Sequence, residues 1–123
     1  MMRLWVVIAA FNGLSAVGFG AWASHGLTDL PAAAALVGTA AQYQMWHALA
    51  LIGVAWLSDD PGVPGGVIGT AGVCFTLGIL LFSGSLFTLA LEGVPLFPMS
   101  APAGGILLMA GWVALGLAGL LRR

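Results

Sequence analysis

Six side chains in this sequence have the types and spacing that chemistry could use: His25, Tyr43, Gln44, His47, Ser83 and Ser85. Tyr43 and His47 are four residues apart and Gln44 and His47 three apart, so on a helix they share one flank. Two imidazoles are what a haem or metal site would use. A serine near a histidine is the beginning of a nucleophile and its base. Together the phenol, amide, imidazoles and hydroxyls could form a pocket for a lipid headgroup, a quinone or haem.

Each possibility has a plainer counterpart. Metal sites generally need three or four ligands. The chain has no CxxCH or HExxH motif, and its one cysteine, Cys74, lies in an apolar run where it packs as a small hydrophobe. That lone thiol excludes an intrachain disulfide and a cysteine-based zinc site. The favoured reading is that each histidine hydrogen-bonds a neighbouring helix or a loop carbonyl, and no metal or cofactor is expected. A serine nucleophile also needs an oriented acid, and only Glu92 comes near that depth. No enzymatic activity is expected.

The elements that position these residues follow from composition. Apolar residues make up 61% of the chain and charged ones 6%, against roughly a quarter charged in a soluble domain. Lipid is the solvent such a surface requires. A net charge of −1 without a basic patch argues against nucleic acid as a partner. Four segments approach the ~20 apolar residues that a spanning helix needs: about 4–23, 40–57, 66–90 and 104–121, in one domain over 1–123. None alternates apolar and polar as a barrel strand would. The first has a basic start and a small-x-small end at Ala21-Trp22-Ala23, but Asn12, Gly13 and Ser15 interrupt it, so it reads as a retained span.

The breaks carry turn signals. Ser58-Asp59-Asp60-Pro61-Gly62 predicts a turn with both carboxylates in water. Ser100 is expected to cap the fourth helix, and Thr28 with Asp29 to open the second before Pro31. The alanine-rich stretch from Ala32 to Ala41 either lies at the interface or continues helix two. Ala16, Gly20 and Ser24, and the Gly65-xxx-Gly69 pair, are candidate close-packing faces. Trp5, Trp22 and Trp56 fall at span ends, as an aromatic belt would.

Arg3, Arg122 and Arg123 fall on one side of a four-span topology, which predicts that both termini are cytoplasmic. Gln42, Tyr43, Gln44 and His47 then fall in the outer half of helix two. Ser83, Ser85 and Thr88 fall in the outer half of helix three, and His25 at the outer end of helix one. The candidate site is where these levels meet. Asn12 lies near mid-membrane, where an amide serves as interhelical glue. Ion transport is not indicated, because no acidic or basic residue other than histidine interrupts a span.

At these residues the chain resembles the small membrane-protein family called domain of unknown function 423, which includes the eukaryotic transmembrane protein 256. The matching pieces are Gly18 to Leu27 around Ala-Ser-His25-Gly26, Tyr43-Gln44-Met45-Trp46-His47 with Ala48 to Leu51, Leu81 to Leu86 around Ser83-Gly84-Ser85, Pro102 to Gly105, and Gly111-Trp112. Trp22 and Ser24 depart from the family's usual residues in the first piece. The resemblance implies four helices in a bacterial inner membrane and marks the six residues, together with Gly84, as motif positions without assigning them a role.

The expectation is therefore an all-α, integral membrane four-helix bundle. Its leading function is non-enzymatic packing, with itself as a homo-oligomer or as an accessory subunit beside other membrane proteins. The alternative is a lipid, quinone or haem binder built around His25 and His47.

Overall fold

The computed structural model describes residues 1–123 as four helices without strands. They are α1 (Met2–His25), α2 (Pro31–Ser58), α3 (Gly65–Glu92) and α4 (Ser100–Leu120). The protein is an all-α bundle. Three helices, α1, α3 and α4, are long and apolar enough to cross a membrane. The fourth, α2, has the length, 28 residues, or about 42 Å at 1.5 Å per residue. Gln42, Tyr43, Gln44 and His47 lower the apolarity of its middle. It runs unbroken from Pro31, so the Ala32–Ala41 stretch continues helix two. Proline suits that first position because its fixed φ is already helical.

The major interfaces follow chain order: α1 on α2, α2 on α3 and α3 on α4. The α2–α3 pair is central and α1 and α4 flank it. Outside these interfaces side chains bridge the gaps. Trp5 of α1 reaches Gly72 of α3, and Trp112 of α4 reaches His47 of α2. The larger core, around Leu51, Val54, Ile68, Ala71 and Phe75, lies toward the end that carries both termini. A smaller one, Ala23, Leu27 and Val37, lies toward the opposite, loop end. Small residues recur because lipid is as apolar as leucine, so helices gain by approaching closely rather than by leaving lipid.

Four glycines make that approach possible, and they are not the pair singled out from spacing. A Cβ on Gly104 would strike the backbone nitrogen of Phe82. One on Gly72 would meet the Trp5 ring, one on Gly111 the Phe75 ring and one on Gly78 the Leu108 side chain. The Gly65-xxx-Gly69 pair faces open space and packs against nothing. Ala16 and Gly20 do lie on the α1–α2 seam, where Gly20 faces Ala41. Trp5 is also displaced from its expected role. It is 3% exposed, inside the core, while Trp22 and Trp56 remain at the surface.

The helix starts differ from the capping expected. Neither Thr28 nor Asp29 caps α2, whose N-cap is Leu30. Ser100 is the first residue of α4 rather than its cap, and Met99 before it takes a left-handed φ of 69°. The Asp59–Asp60 turn is only half in water. The Asp60 carboxylate accepts the Gly62 N–H at 2.8 Å and pairs with Arg122 Nε at 2.7 Å, while the Arg123 N–H donates to the Gly62 carbonyl at 3.0 Å. The end of α4 is thus fastened to the α2–α3 turn.

Replacing Gly104 with alanine forces α3 and α4 apart, and we expect destabilisation of about 1–3 kcal/mol. Gly116→Ala, where a Cβ meets nothing, is expected to be neutral or to gain up to about 1 kcal/mol of helix propensity. Denaturant unfolding of both variants in detergent micelles checks the contrast.

Candidate functional site

Polar side chains cross the bundle at three levels. At mid-depth, the Gln44 Nε2–H donates to Asn12 Oδ1 at 3.0 Å, joining α2 to α1. Asn12 in turn donates through Nδ2 to the Ile8 carbonyl at 2.8 Å. Both residues stand close to the middle of their helices, and both are buried. Toward the loop end, the Ser83 hydroxyl donates to the Ala40 carbonyl at 2.8 Å, joining α3 to α2. At that level Ser100 Oγ also donates to Ser85 Oγ at 2.8 Å, joining α4 to α3. The three serines are almost fully buried.

Nearer the terminal end, His47 joins α2 to α4. Its Nδ1 lies 2.6 Å from the Tyr43 carbonyl and its Nε2 lies 3.1 Å from Trp112 Nε1. A carbonyl can only accept and an indole N–H can only donate. The imidazole is therefore neutral, with its proton on Nδ1. Aromatic rings enclose it: Trp112 edge-on at 5.9 Å, Phe75 at 5.7 Å and Tyr43 stacked at 6.1 Å between centroids.

The structure brings Tyr43, Gln44, His47, Ser83 and Ser85 into one bundle interior but leaves His25 outside it. His25 ends α1 and is exposed. The residues from Pro31 down to His47 extend about 24 Å along α2, so the two imidazoles lie at different depths. The Nε2 lone pair of His47 is already used by Trp112. The donor set does not fit a haem or a metal held between the two histidines.

The common level inferred for these residues changes with the start of α2. Counted from Pro31, Gln44 sits at the middle of the helix and His47 beyond it, not in the half nearest the loops. Two bonding partners carried no sequence signal. The Ala40 carbonyl is backbone, and Trp112 stood only as part of a Gly-Trp motif. The Asn12 amide was legible, since an isolated amide within an apolar run requires a partner.

Two buried polar atoms have no partner, Gln44 Oε1 and Trp5 Nε1. Beside the His47–Trp112 bridge, α2 and α4 part to leave a crevice of about 650 Å³, lined among others by Tyr43, Trp46, Phe82 and Met109.

These features define a small membrane protein of the helical-bundle class, its helices cross-linked by buried hydrogen bonds. The chain belongs to the family described as protein of unknown function, DUF423, whose model matches residues 19–105. That match contains all six candidate residues. The UPF0382 membrane protein YwdK of Bacillus subtilis is 38% identical over 119 residues, covering 95% of this chain and 96% of that protein. The UPF0382 inner membrane protein YgdD of Escherichia coli is 33% identical over 134 residues, covering 98% and 91%. A UPF0382 membrane protein of Haemophilus influenzae is 35% identical over 119 residues, covering 94% and 92%. No solved structure matches the chain.

A double-mutant cycle tests the mid-depth bond. Asn12→Leu strands the Gln44 amide, and Gln44→Leu strands Asn12 Oδ1. We expect each single variant to unfold more easily than the wild type. The double variant should cost less than the sum of the two by about 0.6–1.7 kcal/mol. Additive costs in mixed-micelle unfolding would show that the bond contributes nothing.

Proposed function

We propose that this protein is a non-enzymatic packing subunit of the bacterial cytoplasmic membrane, and that it assembles with a second copy of itself through the α1–α2 face. The observation that carries this reading is Gln42. Its side chain is exposed on α2 and has no partner in the chain. It lies about 17 Å along α2 from Pro31, deep within a hydrocarbon layer ~30 Å thick. An amide without a partner there costs about 4–8 kcal/mol. A helix that presents one to lipid is better explained by a neighbour that binds it.

The surroundings suit another helix. Gln42 borders a shallow groove lined also by Ala16, Gly20, Gly38, Ala41, Met45 and Trp46, and the first four of these are small enough to let a backbone approach. A glutamine amide is both donor and acceptor. Two copies related by a twofold axis can therefore pair their Gln42 side chains through two N–H···O bonds, and such twofold dimers are the commonest oligomers. A different membrane subunit presenting an amide or hydroxyl is the competing occupant.

A non-catalytic role is supported by the uses of the hydroxyls. Ser83 donates to a carbonyl and Ser85 accepts from Ser100, so neither serine is paired with a histidine base. Orientation is supported by charge. Arg3, Arg122 and Arg123 gather at the end that holds both termini, and α2 would cross beside its neighbours as the second of four spans.

Native mass spectrometry after mild extraction tests the assembly. The expected result is a dimer that Gln42→Leu converts to monomer without loss of helicity. A wild-type monomer with nothing bound rejects the reading, and a fixed-ratio complex with another protein replaces the second copy by that partner. Reporter fusions at the α1–α2 and α3–α4 loops are expected to report the periplasm, and fusions at the α2–α3 turn the cytoplasm.

A further inference from the structure

We propose that the crevice between α2 and α4 is a binding site for a lipid-soluble ring bearing carbonyl oxygens, a molecule of the quinone class. The crevice holds about 650 Å³, room for a substituted ring and the first part of an isoprenoid tail. Five of its eleven lining residues carry rings, Tyr43, Trp46, His47, Phe82 and Trp112, and the others are aliphatic or small. Tyr43 lies 5.0 Å from Trp46 and 4.7 Å from Phe82 between ring centroids, so flat faces line the opening. Flat walls of this kind favour a conjugated ring, which can stack or meet them edge-on.

The hydrogen-bonding groups narrow the ligand further. His47 and Trp112 satisfy each other and the Tyr43 carbonyl, so they form wall rather than contact. Tyr43 and Trp46 also line the crevice, and neither the Tyr43 hydroxyl nor the Trp46 indole N–H is hydrogen-bonded within the chain. The indole can only donate and the phenol donates readily. Two unspent donors on residues that line an apolar slot call for an acceptor, and a carbonyl oxygen is the acceptor that a lipid-soluble molecule most simply brings.

Depth separates a quinone from a phospholipid, which also carries carbonyls. Tyr43 is about 18 Å along α2 from Pro31, close to the middle of a ~42 Å helix. Its side chain leans back toward the helix N-terminus by a few ångströms, which leaves the hydroxyl inside the hydrocarbon. Phospholipid ester carbonyls sit at the edge of that layer, roughly 15 Å from the mid-plane. A carbonyl that meets Tyr43 therefore belongs to a molecule dissolved in the hydrocarbon. The entry is lateral, because α2 and α4 touch here through side chains and the rim residues Leu49, Ile106 and Met109 face lipid.

The test uses decylubiquinone and the full chain in phosphatidylcholine nanodiscs, where phospholipid is already in large excess. Tryptophan fluorescence is followed as the quinone is added. We expect saturable quenching, because Trp46 and Trp112 border the site. Tyr43→Phe is expected to weaken binding about five- to tenfold, the loss of one hydrogen bond. Gly105→Leu is expected to abolish it, since Gly105 lines the crevice and a Cβ there meets only the Phe82 ring, at 3.9 Å. The infrared carbonyl band of the bound quinone is expected lowered in frequency and restored in Tyr43→Phe, which a merely structural role for Tyr43 would not produce. Quenching that rises without saturation, or saturable binding that both variants leave unchanged, overturns the proposal. Circular dichroism checks that each variant keeps its helicity. If Gly105→Leu does not fold, the Tyr43→Phe affinity and infrared shift decide alone.

Discussion

Inside a bilayer no water completes a hydrogen bond, and this constraint governs the bundle. Every polar group that α2 carries to mid-depth must find its partner on another helix or leave a debt of several kcal/mol. Gln44 finds α1 through Asn12, the Ala40 carbonyl finds α3 through Ser83, and His47 finds α4 through Trp112. One helix therefore holds hydrogen bonds to all three others. The apolar contacts supply closeness, but lipid could replace most of them. The hydrogen bonds fix which face of each helix turns inward, because a rotation of one residue would present an amide or imidazole to hydrocarbon.

The glycine slots and the hydrogen bonds support each other. Gly104 lets α4 approach the α3 backbone at Phe82, and the Ser85–Ser100 bond lies on the same seam. Gly111 receives the Phe75 ring one level further on, beside Trp112 and His47. Without close backbones, hydroxyls as short as those of serine could not meet across helices. Without the hydroxyls, the glycine contacts alone would allow sliding along the axis. Where α2 and α4 lack such a slot, the side chains hold the backbones apart and the crevice opens.

Much of this was legible in the sequence. Apolar runs at 4–23, 66–90 and 104–121 lie within a few residues of α1, α3 and α4, because hydrocarbon sets both composition and length. The start of α2 was not legible. Alanine is a strong helix former and is only weakly apolar, so Ala32–Ala41 carries the same signal inside a span or outside it. Placing that start near residue 40 rather than Pro31 moves the polar residues by about 14 Å along the axis, and with it the apparent level of the site. Spacing also failed to distinguish glycines that face a helix from those that face open space. Gly65 and Gly69 have the motif without a neighbour, whereas Gly78 and Gly104 have the neighbour without the motif. Which face of a helix turns inward is a tertiary fact, and local spacing does not contain it. The Asp60–Arg122 pair was hidden for the same reason, since it joins residues far apart in the chain.

The uneven apolarity of the four helices also bears on how the chain enters the membrane. As it leaves the ribosome, α2 is the segment least able to partition into lipid alone. Of its three interhelical bonds, only the one to Asn12 can form at once. Ser83 follows Ala40 by 43 residues and Trp112 follows His47 by 65. Until α3 and α4 are synthesised, the middle of α2 carries unspent donors and acceptors. The bonds that hold α2 in the bundle are therefore completed only when α3 and α4 have been made.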